Sequence, residues 1–200
     1  GDVSCRRYAR IKLNNKTFML MDAPPEKEDC VPFVTIDEFF DTNGVRVPHI
    51  VAKDLEQGFL LLEDFGDVLL STQLDDKTVD AHYEQSFKQL IQLQSIDGAG
   101  HFPAYSYEKL ITEMSLLTDW LLPSLQIQPS DDESALIKRT FAILANAALA
   151  QPQVIVHRDF HSRNLMLLVD EQEQGVIDFQ DAVIGADTYD LISITRDAYI

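Results

Sequence analysis

The sequence predicts an α+β fold of two lobes, a small β-rich lobe followed by a larger helical lobe. Short strand-like runs separated by turn residues dominate the first 66 residues, whereas long amphipathic patterns dominate the rest. A chain of 200 residues with 46% hydrophobic residues can also bury a sizeable core. We therefore expect an N-terminal lobe over residues 1–66 and a C-terminal lobe over residues 67–200, with a ligand-binding cleft between them.

The N-terminal lobe is predicted to form from four short strands and one helix. Asn14-Asn15 and Gln57-Gly58 are turn signals, and each separates two runs that are short enough to be strands. Between these hairpins, apolar residues recur at helical spacing until Asn43-Gly44, a pair that tolerates the left-handed conformation in which many helices end. The predicted elements are strands at residues 7–13, 17–21, 50–52 and 59–63 and a helix at residues 33–42.

The C-terminal lobe is predicted to be mainly helical, with a small hairpin inside it. Ser130 and Glu133 have the spacing of a capping box and open one helix. Another helix is expected to begin at a cap formed by Asp75 or Asp76, and Pro123 is expected to end a third. The predicted helices cover residues 75–96, 106–122, 130–150 and 190–199, and the predicted strands cover residues 154–156, 165–169 and 175–177.

The charge balance argues against nucleic acid and membrane partners. The chain has 16 Lys and Arg residues against 33 Asp and Glu residues, a formal net charge of −17 at pH 7. Such an excess repels a phosphate backbone and an anionic lipid surface at long range. No apolar run reaches the roughly 18 residues that a membrane span needs. The same charge does not exclude ATP, because a nucleotide is held by a local site and by Mg²⁺.

The cysteine content and the two ends of the chain indicate where the protein works and how much of it is present. Cys5 and Cys30 are too few for a disulfide scaffold, and we expect two thiols in a reducing cytoplasm. The first residues have no signal-peptide pattern. Position 1 is Gly rather than Met, and the last residues stop within a helix-like stretch, so we expect truncation at both ends.

The segment around residue 159 carries the clearest chemical signal. Asp159 follows the predicted buried strand over residues 154–156, and Asn164 comes five positions later. Asp178 stands at the end of the predicted strand over residues 175–177. Phosphoryl transfer needs an Asp beside the attacking hydroxyl and oxygen ligands for Mg²⁺. Asp159 would orient the acceptor hydroxyl and accept its proton, while Asn164 and Asp178 would hold the metal. The alternative is a surface loop whose Asp and Asn side chains only form local turns.

This segment also carries a family resemblance. His157-Arg158-Asp159 followed by Asn164 matches the catalytic-loop pattern H-R-D-x-x-x-x-N. Together with His161 and Ile177-Asp178-Phe179, it resembles the aminoglycoside phosphotransferase/choline kinase family of small-molecule kinases, which are relatives of the protein kinases. The resemblance implies a bilobal protein-kinase-like fold that uses ATP and Mg²⁺.

The resemblance also implies which residues support the catalytic loop. His157 and His161 flank Asp159 and would hold the loop in place. Tyr189-Asp190-Leu191 is similar to a family segment whose Asp braces the catalytic loop by hydrogen bonds. The alternative for Asp190 is the N-cap of the last predicted helix.

Several segments narrow the resemblance to a subgroup, the bacterial anomeric sugar kinases that act on N-acetylmuramate and N-acetylglucosamine. This likeness spans nearly the whole chain, and the segments that carry it lie at residues 1–10, 21–26, 61–66, 157–166 and 178–182. It implies transfer of the γ-phosphoryl group of ATP to the anomeric hydroxyl of an amino sugar.

Two features of the kinase pattern are missing from the phosphate-binding region. The strand over residues 17–22 ends without the Lys that kinases use to reach the phosphates. Arg6, Arg7 or Arg10 could supply that charge, or these arginines could simply pair with surface acids. No Gly-rich loop is present, so residues 1–4, with the Ser4 hydroxyl, are the expected cover of the phosphates.

The adenine base is expected to bind at the connector between the lobes, residues 60–66. In related kinases the edge of the base pairs with connector backbone, which here points to Glu63 and Phe65. The run is also compatible with an ordinary core strand that ends in a turn, because the backbone does the binding.

Three functions remain open from the sequence. The first is an ATP-dependent sugar kinase, favoured by the subgroup segments. The second is an aminoglycoside or amino-alcohol (choline-type) phosphotransferase, because an acidic protein attracts a cationic acceptor. The third is a catalytically inactive kinase-like binding protein, suggested by the missing strand Lys and opposed by the intact Asp159, Asn164 and Asp178.

Overall fold

The computed structural model describes residues 5–168 and 173–200. Its first part is a four-stranded antiparallel sheet in the order β1-β2-β4-β3, with one helix between the two hairpins. The elements of this part are β1 (Arg7–Leu13), β2 (Lys16–Asp22), α1 (Val31–Thr42), β3 (Ile50–Asp54) and β4 (Phe59–Glu63).

The two predicted hairpin turns are confirmed, and each depends on left-handed backbone. Asn14 and Asn15 have φ angles of 50° and 63°, which closes the two-residue turn that pairs Leu13 with Lys16. Gly58, with φ of 77°, packs against the chain that leaves β2, because the Ala23 amide donates to the Gly58 carbonyl at 2.9 Å. A Cβ at Gly58 would lie 2.0 Å from the Ala23 carbonyl oxygen, so only glycine fits there.

The second part is mainly helical and holds two small antiparallel sheets, β5-β8 and β6-β7. Strand β8 is missing from the sequence prediction, because four residues with a glycine among them give too short a pattern. The elements of this part are α2 (Val79–Ser95), α3 (Tyr107–Met114), α4 (Leu122–Ser124), α5 (Asp131–Leu149), β5 (Gln153–Val156), β6 (Leu165–Leu168), β7 (Glu173–Val176), β8 (Val183–Ala186) and α6 (Thr188–Thr195).

Three helices of this part differ from the sequence prediction at their ends, and α6 is one of them, since it covers Thr188–Thr195 rather than residues 190–199. Helix α2 begins at Val79 rather than near Asp75, because the Asp75 carboxylate accepts from the Lys77 and Thr78 amides and holds a turn there. The predicted helix over residues 106–122 is interrupted by a π-helical turn, and Pro123 lies in the first turn of α4 instead of ending a helix. A proline is tolerated there because the first amides of a helix have no intrahelical partner.

Aromatic packing of α1 joins the sheet to the helical part. Phe33 and Phe40 lie on the buried face of α1, and their ring centroids are 5.1 and 5.7 Å from that of Phe179. The buried apolar cluster that contains these rings runs from Met21 of β2 to Leu165 of β6. The α+β class is therefore confirmed, and a single buried cluster links the sheet to the helical part, beside a smaller second cluster of Tyr105, Val156 and Val183. None of the helices in the described part of the chain is long and apolar enough to cross a bilayer.

Candidate active site

A cavity of about 320 Å³ lies between the sheet and the β6-β7 hairpin. We call it the cleft. Its walls are mostly apolar, and its polar groups come from the connector and from the segments around Asn164 and Asp178, an arrangement typical of ligand sites. Its lining includes Met19, Phe33, Glu63, Phe65, Asn164 and Asp178.

The catalytic-loop pattern brings Asp159 and Asn164 together in space. The Asn164 side-chain amide donates to the backbone carbonyl of Asp159 at 3.0 Å, and the Ile177 amide donates to the Asn164 carbonyl at 3.1 Å. Because its nitrogen is engaged in this way, Asn164 can offer its side-chain oxygen to a ligand. The loop between β5 and β6 is thus fastened to the segment that carries Asp178.

Asp178 stands at the point where the chain leaves β7 and enters the cleft. Its backbone is left-handed, with φ of 65°, and its carboxylate accepts from the Gln180 side-chain amide at 2.7 Å. Arg158, one residue before Asp159, is also left-handed, with φ of 79°. Such conformations cost about 1 kcal/mol or more for a residue with a side chain, and they are concentrated at functional sites.

Asp190 braces the loop through its backbone. The two carboxylate oxygens of this fully buried residue accept from the His157 amide at 2.6 Å and from the Arg158 amide at 3.0 Å. Burial raises the pKa of Asp190 to about 7, against the effect of these two bonds. The alternative role as a helix cap is wrong, because Asp187 occupies the N-cap of α6.

His157 links the same loop to the strand that precedes Asp178. Its Nδ1 accepts from the Asp159 amide at 3.3 Å, so the proton lies on Nε2, which donates to the Ile177 carbonyl at 3.0 Å. Complete burial lowers the pKa of His157 to about 4, which keeps the ring neutral. A neutral ring is the form that makes both bonds at once.

His161 supports the loop on the C-terminal side of Asp159, whereas His157 supports it on the N-terminal side. Its amide donates to the Asp159 carbonyl at 3.0 Å, and its own carbonyl accepts from the Asn164 amide at 2.9 Å. The ring packs edge-on against Tyr199, with 5.0 Å between the ring centroids. His161 thus holds the turn between Asp159 and Asn164 mainly through backbone atoms.

The electrostatic surroundings of Asp159 favour a carboxylate that can take up a proton. Burial and the neighbouring Asp178 raise the pKa of Asp159, while His161 and Arg158 act in the opposite direction. A base with a raised pKa holds an incoming proton better than an ordinary carboxylate does.

The structure separates the candidate phosphate-binding arginines. Ser4 and the rest of residues 1–4 lie outside the described residues. Arg10 is bound to the carboxylates of Asp64 and Asp67 at 2.6 and 2.7 Å, which turns it toward the connector. Arg7 pairs with Asp22 at 2.5 Å, and its side chain is exposed.

Arg6 lies against the cleft wall. Its guanidinium is 5.6 Å from the ring centroid of Phe33, a residue of that wall, and it forms an ion pair with Glu28 at 2.7 Å.

The connector is held by two residues that sequence reasoning missed. Arg46 binds the Glu63 carboxylate through both terminal nitrogens, at 2.8 and 2.6 Å, and lies 4.6 Å from the Phe65 ring centroid. Gly175 of β7 lies under the same ring, and a Cβ there would be 2.3 Å from a ring carbon of Phe65. A glycine inside a strand was the available signal, because it often marks a close approach of this kind. The Glu63 amide donates to the His49 carbonyl at 2.9 Å, so it is already engaged.

The Arg158 side chain connects the loop to helix α3. It donates to the Glu113 carboxylate at 2.8 Å, and the same carboxylate accepts from the Tyr105 hydroxyl. The Arg158 guanidinium also lies 5.7 Å from the Tyr105 ring centroid and 3.8 Å from Asp181. This network could not be predicted from the sequence, because its members come from separate elements.

Within residues 5–168 and 173–200, no group of three or more His, Cys, Asp and Glu side chains could hold a metal ion.

Comparisons with known proteins agree with this geometry. The model of the phosphotransferase enzyme family matches residues 1–200. The chain is 42% identical over 201 residues to an N-acetylmuramate/N-acetylglucosamine kinase of Pseudomonas aeruginosa. It is 38% identical over 201 residues to the protein of the same name from Pseudomonas putida. Each alignment covers 100% of this chain and 59% of the relative, so the chain spans about three fifths of these relatives.

Solved structures share the fold at low sequence identity. The GDP complex of aminoglycoside 2'-phosphotransferase-IIIa superposes with a TM-score of 0.68 at 16% identity, covering 96% of this chain and 69% of that one. Aminoglycoside-3'-phosphotransferase of type VIII gives a TM-score of 0.65 at 15% identity, covering 98% of this chain and 74% of that one. The predicted kinase-like fold is thereby confirmed.

Proposed function

The chain belongs to the phosphotransferase enzyme family, and from that premise we propose that it transfers the γ-phosphoryl group of ATP to a sugar hydroxyl. The acceptor we propose is the anomeric hydroxyl of N-acetylmuramate or N-acetylglucosamine, the two sugars for which its relatives are named. The observation that carries the proposal is that Asn164 and Asp178 line the cleft and that Asp159 is next to both, through the bond from the Asn164 amide and through its charge interaction with Asp178.

Asp159 is the proposed catalytic base. Its carboxylate would accept a hydrogen bond from the acceptor hydroxyl, align the oxygen with the γ-phosphorus, and take up the proton as the new P–O bond forms. The bonds that Asp190 and His157 make to the loop backbone support this role, because they hold Asp159 in place through backbone amides and do not occupy its carboxylate. Asp190, His157 and His161 are therefore proposed as positioning residues.

Mg²⁺ suits the donors at the end of the cleft. The side-chain oxygens of Asn164 and Asp178 are hard ligands, and both residues line the cleft. When bound, the ion would neutralise charge on the ATP phosphates. The Asp178 carboxylate also accepts from the Gln180 side-chain amide at 2.7 Å.

The nucleotide is proposed to enter with its base toward the connector. The apolar side chains of Met19 and Leu62 would contact the faces of the base, and the Glu63 carbonyl and the Phe65 amide would pair with its edge. Arg6 is the proposed cation near the phosphates, and Ser4 is a proposed phosphate ligand. Arg6 would thus replace the strand Lys, because the cleft face of β2 carries Met19 and the buried Met21.

The proposed setting is the cytoplasm, where ATP is present and thiols stay reduced. Cys5 is exposed and Cys30 is buried, and both are free cysteines. An exposed thiol fits a reducing compartment better than an oxidising one.

The test is an assay of ADP release with Mg-ATP and four acceptors, N-acetylmuramate, N-acetylglucosamine, kanamycin and choline. We expect turnover with the two amino sugars and only background with the others. Asp159→Asn should lower kcat roughly 100-fold or more while ATP still binds, whereas Asp80→Asn, at an exposed position of α2, should leave kcat unchanged.

Three results would count against parts of the proposal. Turnover with kanamycin or choline alone would show that the acceptor is a cationic compound and not one of the two proposed sugars. Background rates with all four acceptors would support a catalytically inactive binding protein. Full activity of Asp159→Asn would show that Asp159 is not the catalytic base, but it would not contradict the proposed acceptor.

A further inference from the structure

A further cavity opens beside the cleft, on the other side of Gln180. We call it the lateral cavity. It has a volume of about 300 Å³, and the first turns of α1 and the segment after Asp178 contribute to its walls. Gln180 lines both cavities, and its side-chain amide donates to Asp178 at 2.7 Å. The lateral cavity is therefore one side chain away from the proposed reaction centre.

The wall of the lateral cavity contains one lysine, Lys109, in the first turn of α3. Its ammonium lies 5.7 Å from the ring centroid of Tyr105, and the guanidinium carbon of Arg158 lies 5.7 Å from the same centroid. Lys109 is thus separated by one aromatic ring from the residue that precedes Asp159. Among the residues that the structure describes, no carboxylate forms an ion pair with Lys109 within 4.0 Å.

Two carboxylates of this region lie beside Arg158. Glu113, one turn after Lys109, accepts from Arg158 at 2.8 Å and from the Tyr105 hydroxyl. Asp181, in the wall of the lateral cavity, lies 3.8 Å from Arg158. Lys109 therefore lines the cavity with no carboxylate ion-paired to it among the described residues. A small anion is the ligand that such a group attracts.

We propose that the lateral cavity receives the acidic substituent of the acceptor sugar, a carboxylate on an ether side chain as in N-acetylmuramate, and that Lys109 recognises that carboxylate. The inference rests on the proposed function, because it assumes that the sugar hydroxyl meets Asp159. N-acetylglucosamine has the same ring and the same anomeric hydroxyl, but it carries a hydroxyl in place of the acidic substituent. It can therefore react without using Lys109.

The experiment compares the two acceptors in matched variants at saturating Mg-ATP. Lys109→Met removes the charge and keeps an apolar stem, whereas Lys109→Arg keeps the charge. Lys138→Met, at an exposed position of α5, is the control. Lys109→Met should raise the KM for N-acetylmuramate roughly fivefold to tenfold, with kcat retained and the KM for N-acetylglucosamine within about twofold. Lys109→Arg should restore most of the loss, and Lys138→Met should change neither KM.

A measurement on the unmodified protein keeps the test valid if a variant fails to fold. Raising the ionic strength from about 0.05 M to about 0.5 M screens exposed charge pairs. It should raise the KM for N-acetylmuramate and leave that for N-acetylglucosamine nearly constant.

The two proposals fail in different ways. Equal changes in the KM of both acceptors, or no change in either, would overturn the recognition role of Lys109 while leaving the kinase activity intact. Absence of transfer to both acceptors by the unmodified protein would overturn the proposed function, and the lateral-cavity proposal with it.

Discussion

Replacing Gly175 by alanine is expected to disturb the connector, because the Phe65 ring lies directly on this glycine. The added Cβ would stand 2.3 Å from one ring carbon and 2.6 Å from the next, whereas non-bonded carbon atoms normally stay about 3.5 Å apart. The ring would have to move by more than about 1 Å. Phe65 also stacks on Arg46 and lines the cleft, so its displacement would carry the connector backbone with it.

The expected magnitude follows from overpacking in a filled site. Such insertions cost about 1–3 kcal/mol, so Gly175→Ala should lower the free energy of unfolding by about 2 kcal/mol. If shifting the connector relieves half or more of this strain, about 1 kcal/mol of the free energy of ATP binding would be lost. The KM for ATP should then rise roughly fivefold to tenfold. Chemical denaturation and steady-state kinetics with varied ATP measure the two effects separately.

A double-mutant cycle identifies the contact that causes the loss. Phe65→Ala removes the ring carbons that the new methyl group would strike, so the double variant should be no less stable than Phe65→Ala alone. Gly185→Ala in β8 is a matched control, because its added Cβ would lie no closer than 3.2 Å to any neighbour and should cost less than about 1 kcal/mol. Strictly additive losses for Gly175→Ala and Phe65→Ala would refute the reasoning.

Further predictions concern the catalytic loop and helix stability. Asp190→Asn should lower kcat roughly tenfold or more with little change in the KM for ATP. The single side-chain oxygen of asparagine would accept from only one of the two backbone N–H groups that Asp190 holds. An unchanged kcat in steady-state kinetics would contradict the bracing role. The value of kcat/KM should fall as the pH drops through the pKa of Asp159. The midpoint of this acid limb should lie above the ordinary Asp pKa of 3.8, because burial favours the protonated form. A midpoint at or below 3.8 would be inconsistent with this environment. Asp178→Asn should weaken Mg-ATP binding measured by calorimetry, and equal affinity would remove Asp178 from the metal site. Ser130→Ala should reduce the free energy of unfolding by about 1 kcal/mol in denaturant titrations, because the Glu133 amide loses the hydroxyl that accepts its hydrogen bond, and it should leave kcat unchanged.

Much of the catalytic loop could be predicted from the sequence, because its residues are close in the chain and have fixed chemical roles. Asp159 and Asn164 lie five residues apart, and the structure joins them by one hydrogen bond across that short turn. The same holds for the two-residue turn at Asn14-Asn15 and for the capping box at Ser130, where local backbone chemistry is sufficient. The α2 helix start was missed by four residues because a side chain of the preceding turn, Asp75, competes for the same amides.

The environment of these residues could not be predicted in the same way. Three arginines near the start of the chain were equivalent candidates, and only the packed structure turns Arg10 toward Asp64, 54 residues away, and leaves Arg6 beside the Phe33 ring. The assignment of Asp190 was open as well, until the fold brought its carboxylate to the amides of a loop more than 30 residues earlier in the chain.

The sequence by itself therefore predicted the order of the elements apart from β8, and it singled out Asp159, Asn164 and Asp178 as candidates, because both follow from short-range periodicity and residue chemistry. Only the tertiary structure decided how the loop and the connector are held, through Asp190 on the loop amides, Gly175 under Phe65 and Arg46 on Glu63. The physical reason is that packing, burial and charge pairing depend on distances in space, and residues far apart in the chain set those distances only when the core closes.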